Sequence, residues 1–166
     1  MERKIKVLFV CLGNICRSPA AEAVFRLLVN QANLSDRFEI DSAGTGSWHE
    51  GELADPRMRK TAKKHGIEMT HHARQIKKKD LEYYDYIFVM DGKNYFDVKH
   101  IANNQTEKNK IIKLRRFDDS VENEPDVPDP YYGDIRGFEE VWSIVSRSGK
   151  GVLEWIMQNS PECFQK

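Results

Sequence analysis

The sequence has few cysteines, no net charge and no long apolar segment. Three cysteines in 166 residues are too few, and odd in number, for the disulfide framework of a small secreted protein. Lys+Arg and Asp+Glu both number 26, so global charge gives no argument for nucleic acid or an anionic membrane as partner. The apolar stretch near the N-terminus is too short to span a membrane and lacks a signal-peptide cleavage site. We therefore expect a cytoplasmic protein without a nucleic-acid or membrane partner.

The apolar residues occur in short runs that alternate with helical patterns. A hydrophobic content of 40% is enough for one core, so we expect a single domain over residues 1–166. Candidate strands lie at 5–10, 38–40, 86–90 and 111–114. Candidate helices lie at 18–32, 56–65, 80–84, 92–102 and 138–157. This alternation predicts an α/β fold with a parallel sheet covered on both faces.

Local signals refine these predictions at several positions. Ser18 followed by Pro19 predicts the start of the first helix, with Ser18 as its N-cap. Residues 103–109 read as a polar loop, and 118–134 as a long acidic, proline-containing loop. Gly149 and Gly151 are expected to weaken the last helix midway.

The segment VCLGNICRSP, residues 10–19, is the most informative part of the sequence. A buried strand, a tight loop and a helix N-terminus together predict an anion site, because backbone N–H groups and the helix dipole converge there. The planar guanidinium of Arg17 can donate two parallel hydrogen bonds to two phosphate oxygens. The predicted phosphate-binding residues are Leu12, Gly13, Asn14, Ile15, Cys16, Arg17 and Ser18.

Cys11 stands where the strand ends, with its sulfur expected to point into this ring of donors. The field that binds phosphate also stabilises a thiolate, and cysteines in such settings titrate at about 3.5–7.5 instead of about 8.5. A hydroxyl hydrogen bond from Ser18 would favour the charged form further. We therefore interpret Cys11 as a nucleophile aligned with a bound phosphorus.

Other readings of the two cysteines explain less of the pattern. A zinc site using Cys11, Cys16 and the histidine pair at 71–72 does not match the usual spacing of zinc ligands. Two buried cysteines in a structural turn would leave Arg17 and the capped helix unexplained. The string required for a nucleotide-binding P-loop is absent from the sequence. We expect no metal and no cofactor.

Five motifs in order resemble the low-molecular-weight protein tyrosine phosphatase family. They are VCLGNICRSPAAEA at 10–23, DSAGT at 41–45, HHARQ at 71–75, DYIFVMD at 85–91 and DPYYG at 129–133. The resemblance implies a three-layer sandwich with a central four-stranded parallel sheet. It also implies metal-independent hydrolysis of phosphotyrosine proteins and aryl phosphates through a phosphocysteine, with inorganic phosphate or vanadate as ligands.

The resemblance assigns roles to residues outside the first loop. Asp129 of DPYYG is implied to be the general acid and then the general base. Residues implied to support the loop are Asn14, Ser18, Ser42, His71 and Asp91, whereas His72 is treated as a surface residue. Asn14 is suited to left-handed backbone geometry, and a helix N-cap role would explain Asp91 equally well. The implied substrate rim consists of Ile15, Trp48, Tyr131 and Tyr132.

Related activities of the same fold remain as alternatives. In arginine phosphatases the position of Ile15 is typically threonine, and the aromatic pair differs. Arsenate reductases use two further mid-chain cysteines, and residues 64–110 contain none. A non-catalytic phosphoprotein-binding module would need neither Cys11 nor Asp129.

Two further features of the sequence carry hypotheses. Cys16 is either a packing residue or a redox guard that forms a disulfide with Cys11 under peroxide. The basic stretches 57–65 and 77–79 are interpreted as solvated faces, with steering of acidic phosphopeptides as the alternative.

Overall fold

A four-stranded parallel sheet forms the centre of the molecule. The computed structural model describes residues 3–164. The strands are β1 (Ile5–Cys11), β2 (Phe38–Gly44), β3 (Tyr86–Val89) and β4 (Ile111–Lys113), in the order β2-β1-β3-β4. All three strand pairs are parallel, which confirms the predicted sheet. Because parallel strands end at the same edge, the loops after β1, β2 and β3 meet there.

Helices cover both faces of the sheet. They are α1 (Arg17–Gln31), α2 (Pro56–Lys64), α3 (Lys78–Tyr83), α4 (Gly92–Ile101), α5 (Gln105–Lys108) and α6 (Ile135–Asn159). Short 3-10 turns occur at Ser35–Arg37, Leu114–Phe117 and Pro161–Phe164. Helices α1, α2 and α6 contribute to the core on one face, and α3 and α4 to that on the other. None of the helices within residues 3–164 is long and apolar enough to cross a membrane.

The uninterrupted apolar character of β1 follows from burial on both sides. Val7 and Phe9 belong to the core on one face, and Leu8 and Val10 to the core on the other. All four side chains are fully buried. A central parallel strand has no solvent face, so the alternation of polar and apolar residues is lost.

The predicted N-cap of α1 is wrong. The helix begins at Arg17 with Cys16 at the N-cap position, and no side chain caps it. Ser18 lies inside the first turn, fully buried, and its hydroxyl contacts Asn14 and Cys11. Pro19 is the third residue of the helix. Its missing N–H costs no hydrogen bond there, because first-turn N–H groups have no acceptor within the helix.

One other local prediction needs correction. The predicted loop 103–109 contains the short helix α5, because the Asn104 side chain accepts the N–H of Glu107 at 2.9 Å and caps it. Helix α6 continues through Gly149 and Gly151, and the expected weakening at these two positions stays a prediction. A Cβ added at Gly151 would lie 2.2 Å from the carbonyl oxygen of Phe117, so this glycine permits close packing of α6 on the turn Leu114–Phe117.

Candidate active site

A cleft of about 340 Å³ opens at the edge of the sheet where the parallel strands end. Its lining contains Cys11, Leu12, Gly13, Ile15, Cys16, Arg17, Trp48, His49, Asp129, Tyr131 and Tyr132. Residues from the first loop, from the segment after β2 and from the long loop before α6 therefore meet in one place. The structure thus brings together the candidate nucleophile, arginine, acid and rim residues that were predicted from separate motifs.

Three carbonyl groups of the first loop accept hydrogen bonds from neighbouring backbone segments. Those of Cys11 and Leu12 accept hydrogen bonds at 2.9 Å from the backbone N–H groups of Thr45 and Gly46, and that of Ile15 accepts one at 2.8 Å from Asp55. In a trans peptide the N–H points opposite to the carbonyl. The N–H groups of residues 12, 13 and 16 are therefore turned to the inner side of the loop, as an anion site requires.

The backbone of the first loop lies very close to the end of β2. A Cβ added at Gly44 would lie 2.7 Å from the carbonyl oxygen of Leu12 and 3.1 Å from the backbone nitrogen of Asn14. Asn14 itself has φ of 59°, which confirms the predicted left-handed conformation. Glycine at position 44 therefore allows β2 to pack directly on the loop.

The Asn14 side chain is the centre of a hydrogen-bond network under the loop. Its amide nitrogen donates to the hydroxyls of Ser18 at 2.7 Å and Ser42 at 3.0 Å. Its Oδ1 lies 2.7 Å from Nε2 of His71 and accepts the backbone N–H of Arg74 at 3.0 Å. The amide is thereby fully satisfied, and it links the loop to β2 and to the segment before α3.

The hydroxyl of Ser18 connects this network to the candidate nucleophile. Ser18 Oγ lies 3.0 Å from Cys11 Sγ and 3.3 Å from the carbonyl oxygen of Ala43. Ser18 accepts a hydrogen bond from Asn14, so its single hydroxyl proton can be donated either to the Cys11 sulfur or to the carbonyl oxygen of Ala43. Donation to the sulfur would stabilise a negatively charged thiolate.

The His71 ring faces acceptors with both of its nitrogens. Nε2 must donate to Asn14, because the amide nitrogen of Asn14 is used for other donations. Nδ1 lies 3.2 Å from a Glu22 oxygen and 3.4 Å from an Asp41 oxygen. The second predicted histidine, His72, is exposed as expected.

The same group contains the one set of possible metal ligands found within residues 3–164. Ligand atoms of Glu22, Asp41 and His71 all lie within 4.8 Å of one another. Two arginines already pair with these carboxylates, Arg26 with Glu22 at 2.9 Å and Arg74 with Asp41 at 3.0 Å. The residues present therefore satisfy one another without a cation, and the expectation of a metal-free enzyme stays a prediction.

Arg17 is only 3% exposed, and hydrogen bonds fix its guanidinium. Its Nη1 donates to Asp91 at 2.7 Å and to the carbonyl oxygen of Val127 at 3.1 Å. Asp91 also accepts the backbone N–H of Asn94 at 2.7 Å, so it caps α4 as well. One side chain thus contacts the phosphate-binding loop and caps a helix, the two roles predicted for Asp91.

The charge of Arg17 is stabilised by its surroundings. Burial alone would lower the pKa of Arg17, but the nearby sulfur of Cys11 and the bond to Asp91 raise it above its ordinary value. Nη2 of Arg17 lies 3.5 Å from Oδ2 of Asp129, the candidate general acid. The guanidinium thus pairs with the candidate acid and interacts electrostatically with the candidate nucleophile.

The two cysteines of the first loop differ in environment. Both are buried free thiols. Burial, followed by the negative charges of Asp55 and Cys11, raises the pKa of Cys16 far above its ordinary value. Cys16 is therefore a neutral thiol, whereas Cys11 has Ser18 beside its sulfur.

Aromatic side chains form the outer wall of the cleft. Trp48, Tyr131 and Tyr132 are 71%, 37% and 92% exposed, so each ring has surface that a ligand could contact. The two tyrosine rings meet edge to face with centroids 4.9 Å apart. The Trp48 ring lies so close to Gly46 that an added Cβ would fall 1.9 Å from it. Rings in this arrangement suit contact with a phenyl group.

Several residues at the site were not identified from the sequence. His49 lines the cleft, and its Nδ1 lies 2.6 Å from a Glu52 oxygen. Gly44, Asp55 and Arg57 contact the loops that form the site. The order Asp-Pro at 55–56 is a recognisable helix start, but no local pattern indicates which distant loop Arg57 reaches.

Comparisons with known proteins agree with this geometry. Residues 6–161 match the family model for low molecular weight phosphotyrosine protein phosphatase. A low molecular weight protein-tyrosine-phosphatase from Streptomyces coelicolor is 44% identical over 92% of this chain and 94% of its own. The crystal structure of a protein tyrosine phosphatase from Entamoeba histolytica superposes with a TM-score of 0.90 at 39% identity, covering 95% of this chain and 99% of that one. The crystal structure of a Drosophila arginine phosphatase superposes with a TM-score of 0.83 at 36% identity, covering 90% of this chain and 96% of that one. The chain belongs to the low molecular weight phosphotyrosine protein phosphatase family.

Proposed function

We propose that the protein hydrolyses phosphotyrosine in proteins, and small aryl phosphates, through a phosphocysteine at Cys11 and without a metal ion. The observation that carries this proposal is that Cys11, Arg17 and Asp129 line one cleft although the acid lies far from the other two in sequence. Binding of phosphate alone would need neither a buried sulfur at the base of the loop nor an acid above it.

In the first step the Cys11 thiolate attacks phosphorus. A sulfur–phosphorus bond forms as the bond between phosphorus and the phenol oxygen breaks. Asp129 gives its proton to the departing oxygen, so that a neutral phenol leaves. The inward N–H groups of the loop and the Arg17 fork bind the equatorial oxygens, where negative charge is concentrated.

In the second step a water molecule hydrolyses the phosphocysteine. Asp129, now a carboxylate, accepts a proton from the water as its oxygen attacks phosphorus. The sulfur–phosphorus bond breaks, inorganic phosphate is formed and the Cys11 thiolate is regenerated. Ser18 lies 3.0 Å from this sulfur and would stabilise it as a leaving group.

The rim supports a tyrosine substrate. Trp48, Tyr131 and Tyr132 offer aromatic faces above a narrow loop, which favours a flat phenyl group long enough to reach the sulfur. Ile15 lines the same wall and adds an apolar contact. This lining favours phosphotyrosine over phosphoarginine, whose charged guanidinium would have to be desolvated there.

The proposed place of action is the cytoplasm. All three cysteines are free thiols, and a reducing compartment would keep the Cys11 sulfur available for attack. Cell fractionation with an antibody to the full chain tests this, and recovery in a secreted fraction would contradict it.

The deciding experiment is hydrolysis of p-nitrophenyl phosphate in the presence of EDTA. We expect the wild type to be active, Cys11→Ser to be inactive, and Asp129→Ala to lose about 10²–10⁴-fold in kcat. Asp119→Ala, an exposed aspartate of the same long loop, is the matched control and should retain activity. Activity of Cys11→Ser, or loss of wild-type activity in EDTA, would refute the proposal.

A second measurement tests the substrate class. A phosphotyrosine peptide and a phosphoarginine peptide of the same sequence should differ in kcat/KM in favour of phosphotyrosine. Inorganic phosphate and vanadate should inhibit competitively, because they occupy the loop. Preference for the phosphoarginine peptide would identify an arginine phosphatase instead.

A further inference from the structure

We propose that Arg57 is a positioning residue that holds the loop carrying Asp129 at a fixed place above the phosphate-binding loop. The proposal rests on the proposed function, because Asp129 matters only as a proton donor and acceptor. Arg57 belongs to the basic stretch 57–65, which the sequence pattern assigns to a solvated face. Its side chain instead contacts Asp55, which is hydrogen-bonded to the phosphate-binding loop, and Tyr131 in the loop that carries Asp129.

The first half of the connection runs from the phosphate-binding loop to Arg57. The backbone N–H of Asp55 donates to the carbonyl oxygen of Ile15 at 2.8 Å. The buried Asp55 carboxylate accepts three hydrogen bonds from Arg57. They come from the backbone N–H at 2.8 Å, from Nε at 3.0 Å and from Nη2 at 2.8 Å. A guanidinium held by two parallel bonds has a fixed plane and direction.

The ionisation of Asp55 agrees with a permanent pair. Burial would raise the pKa of Asp55, but the hydrogen bonds from Arg57 outweigh burial and hold it below its ordinary value. The carboxylate is therefore charged at neutral pH, and the positive charge of Arg57 is already neutralised by a partner. A neutralised arginine is poorly suited to steering acidic substrates, so its contribution has to come from geometry.

The second half runs from Arg57 to Asp129. Nη2 of Arg57 also donates to the carbonyl oxygen of Tyr131 at 3.0 Å, across 74 positions of sequence. The guanidinium carbon lies 5.5 Å from the centre of the Tyr131 ring and 4.6 Å from that of Phe138, which is fully buried in α6. Tyr131 is thus held by a hydrogen bond to its main chain and by a cation–π contact with its ring.

The last contact orients the acid itself. The backbone N–H of Tyr131 donates to Oδ1 of Asp129 at 3.1 Å, which leaves Oδ2 facing Arg17 at 3.5 Å. Arg57 fixes the carbonyl of Tyr131, and Tyr131 fixes one oxygen of Asp129. Asp55 and Arg57 therefore connect the phosphate-binding loop to the loop that carries the proton donor Asp129.

This arrangement has a specific kinetic consequence. Proton donation matters for a poor leaving group such as phenol and little for 2,4-dinitrophenol, which departs readily as an anion. If Arg57 positions Asp129, its loss should slow phenyl phosphate selectively. If Arg57 only supports the fold or binds phosphate, both substrates should slow together.

The experiment compares kcat/KM for phenyl phosphate and 2,4-dinitrophenyl phosphate in wild type, Arg57→Gln and Arg57→Lys. We use kcat/KM because it reports the first chemical step. Arg57→Gln should lose about tenfold to a hundredfold with phenyl phosphate, the scale of a small misplacement of a catalytic group, and change little with the dinitrophenyl ester. Arg57→Lys keeps the charge but not the fork, and should show the same selective loss.

Arg59→Gln is the matched control. Arg59 lies on the same helix and also donates to a carbonyl, that of Ala54 at 2.9 Å, so its substitution should leave the ratio of the two substrates unchanged. Melting temperatures establish that the variants fold, and Arg57→Lys supplies the test should Arg57→Gln be unfolded.

The outcomes separate this proposal from the proposed function. A ratio unchanged in both Arg57 variants, with an active wild type, would overturn the role of Arg57 alone. Wild type without activity on either ester, or with activity that survives Cys11→Ser, would overturn the proposed function.

Discussion

Oδ2 of Asp91 accepts a hydrogen bond from Nη1 of Arg17 at 2.7 Å, and Oδ1 of the same carboxylate accepts the backbone N–H of Asn94 at 2.7 Å. One side chain thus starts α4 and orients the arginine proposed to bind phosphate. Substitutions that separate the two roles show how much each contributes.

Asp91→Asn should keep the helix cap and lose the charged acceptor for Arg17. Asparagine caps helices about as well as aspartate, so the fold should be retained. A hydrogen bond to a charged group contributes about 1.5–3 kcal/mol, so the inhibition constant of inorganic phosphate should rise about tenfold or more. Asp97→Asn, an exposed ion-paired position on the same helix, is the control and should bind phosphate normally. An unchanged inhibition constant in folded Asp91→Asn would contradict the orienting role.

Ser18→Ala should lower kcat by removing the hydroxyl beside the Cys11 sulfur. The lost bond to a charged sulfur is of the kind that contributes about 1.5–3 kcal/mol, so a decrease of about tenfold or more is expected. Steady-state kinetics with p-nitrophenyl phosphate measure it. Ser148→Ala, equally buried but located in α6, should leave kcat unchanged. Equal kcat values for Ser18→Ala and wild type would show that the hydroxyl does not assist the sulfur.

Gly44→Ala should disrupt the phosphate-binding loop. The added methyl carbon would lie 2.7 Å from a backbone oxygen of residue 12, and backbone atoms cannot move aside as a flexible side chain can. We expect loss of phosphate binding and a lowered melting temperature. Gly92→Ala is the control, because an added Cβ there meets nothing within 4 Å. Normal phosphate affinity in Gly44→Ala would mean that β2 and the loop can separate without cost.

Peroxide should inactivate the wild type reversibly if Cys16 guards Cys11. Hydrogen peroxide would oxidise the Cys11 thiolate to a sulfenic acid, and the Cys16 sulfur would displace water from it to form a disulfide. Two thiols per chain should disappear, and dithiothreitol should restore activity. Burial raises the pKa of Cys16, so this thiol is mostly protonated near neutral pH. Its thiolate fraction therefore increases as pH rises, and the disulfide should form faster at higher pH.

Two variants control the peroxide experiment. Cys16→Ser should lose activity without recovery, because the sulfenic acid is then oxidised further. Cys163→Ser should behave as the wild type, since this cysteine lies near the end of the chain and away from the cleft. Identical recovery in Cys16→Ser and wild type would exclude the guard.

Asp118→Asn should destabilise the fold in a pH-dependent manner. The buried carboxylate pairs with Arg115 at 3.1 Å and Arg147 at 3.0 Å and accepts the Ser120 hydroxyl at 2.7 Å. Burial would raise the pKa of Asp118, but these hydrogen bonds hold it far below its ordinary value. A depressed folded pKa stabilises the protein above the unfolded value of about 3.9, and this stabilisation is lost as pH falls further.

Urea unfolding at pH 7 and near pH 3 checks this prediction. At pH 7 Asp118→Asn should lower the free energy of unfolding by on the order of 3 kcal/mol, the scale of a broken buried pair. The difference from wild type should shrink at the lower pH. Asp119→Asn, at an exposed neighbouring position, should show little change. A difference that does not depend on pH would contradict the ionised pair.

Local patterns predicted the secondary structure where local forces dominate. Strand β1 follows from an apolar run. The helix predicted at 56–65 is α2, and in the structure the Asp55 side chain caps it by accepting the N–H of Arg57 at 2.8 Å. The Ser18 cap was wrong because a buried hydroxyl can form stronger contacts with Asn14 and Cys11 than with the helix end. Propensity at a helix start is worth about 1 kcal/mol, which tertiary contacts easily exceed.

By itself the sequence determined the alternation of strands and helices, the parallel sheet and the cradle of residues 11–18, since these depend on apolar periodicity and on groups a few positions apart. Only the tertiary structure decided that Asp129 faces Arg17 and that Arg57 reaches Tyr131. The physical reason is that parallel strands bring distant loops to one edge, where each loop takes its shape from hydrogen bonds to the others.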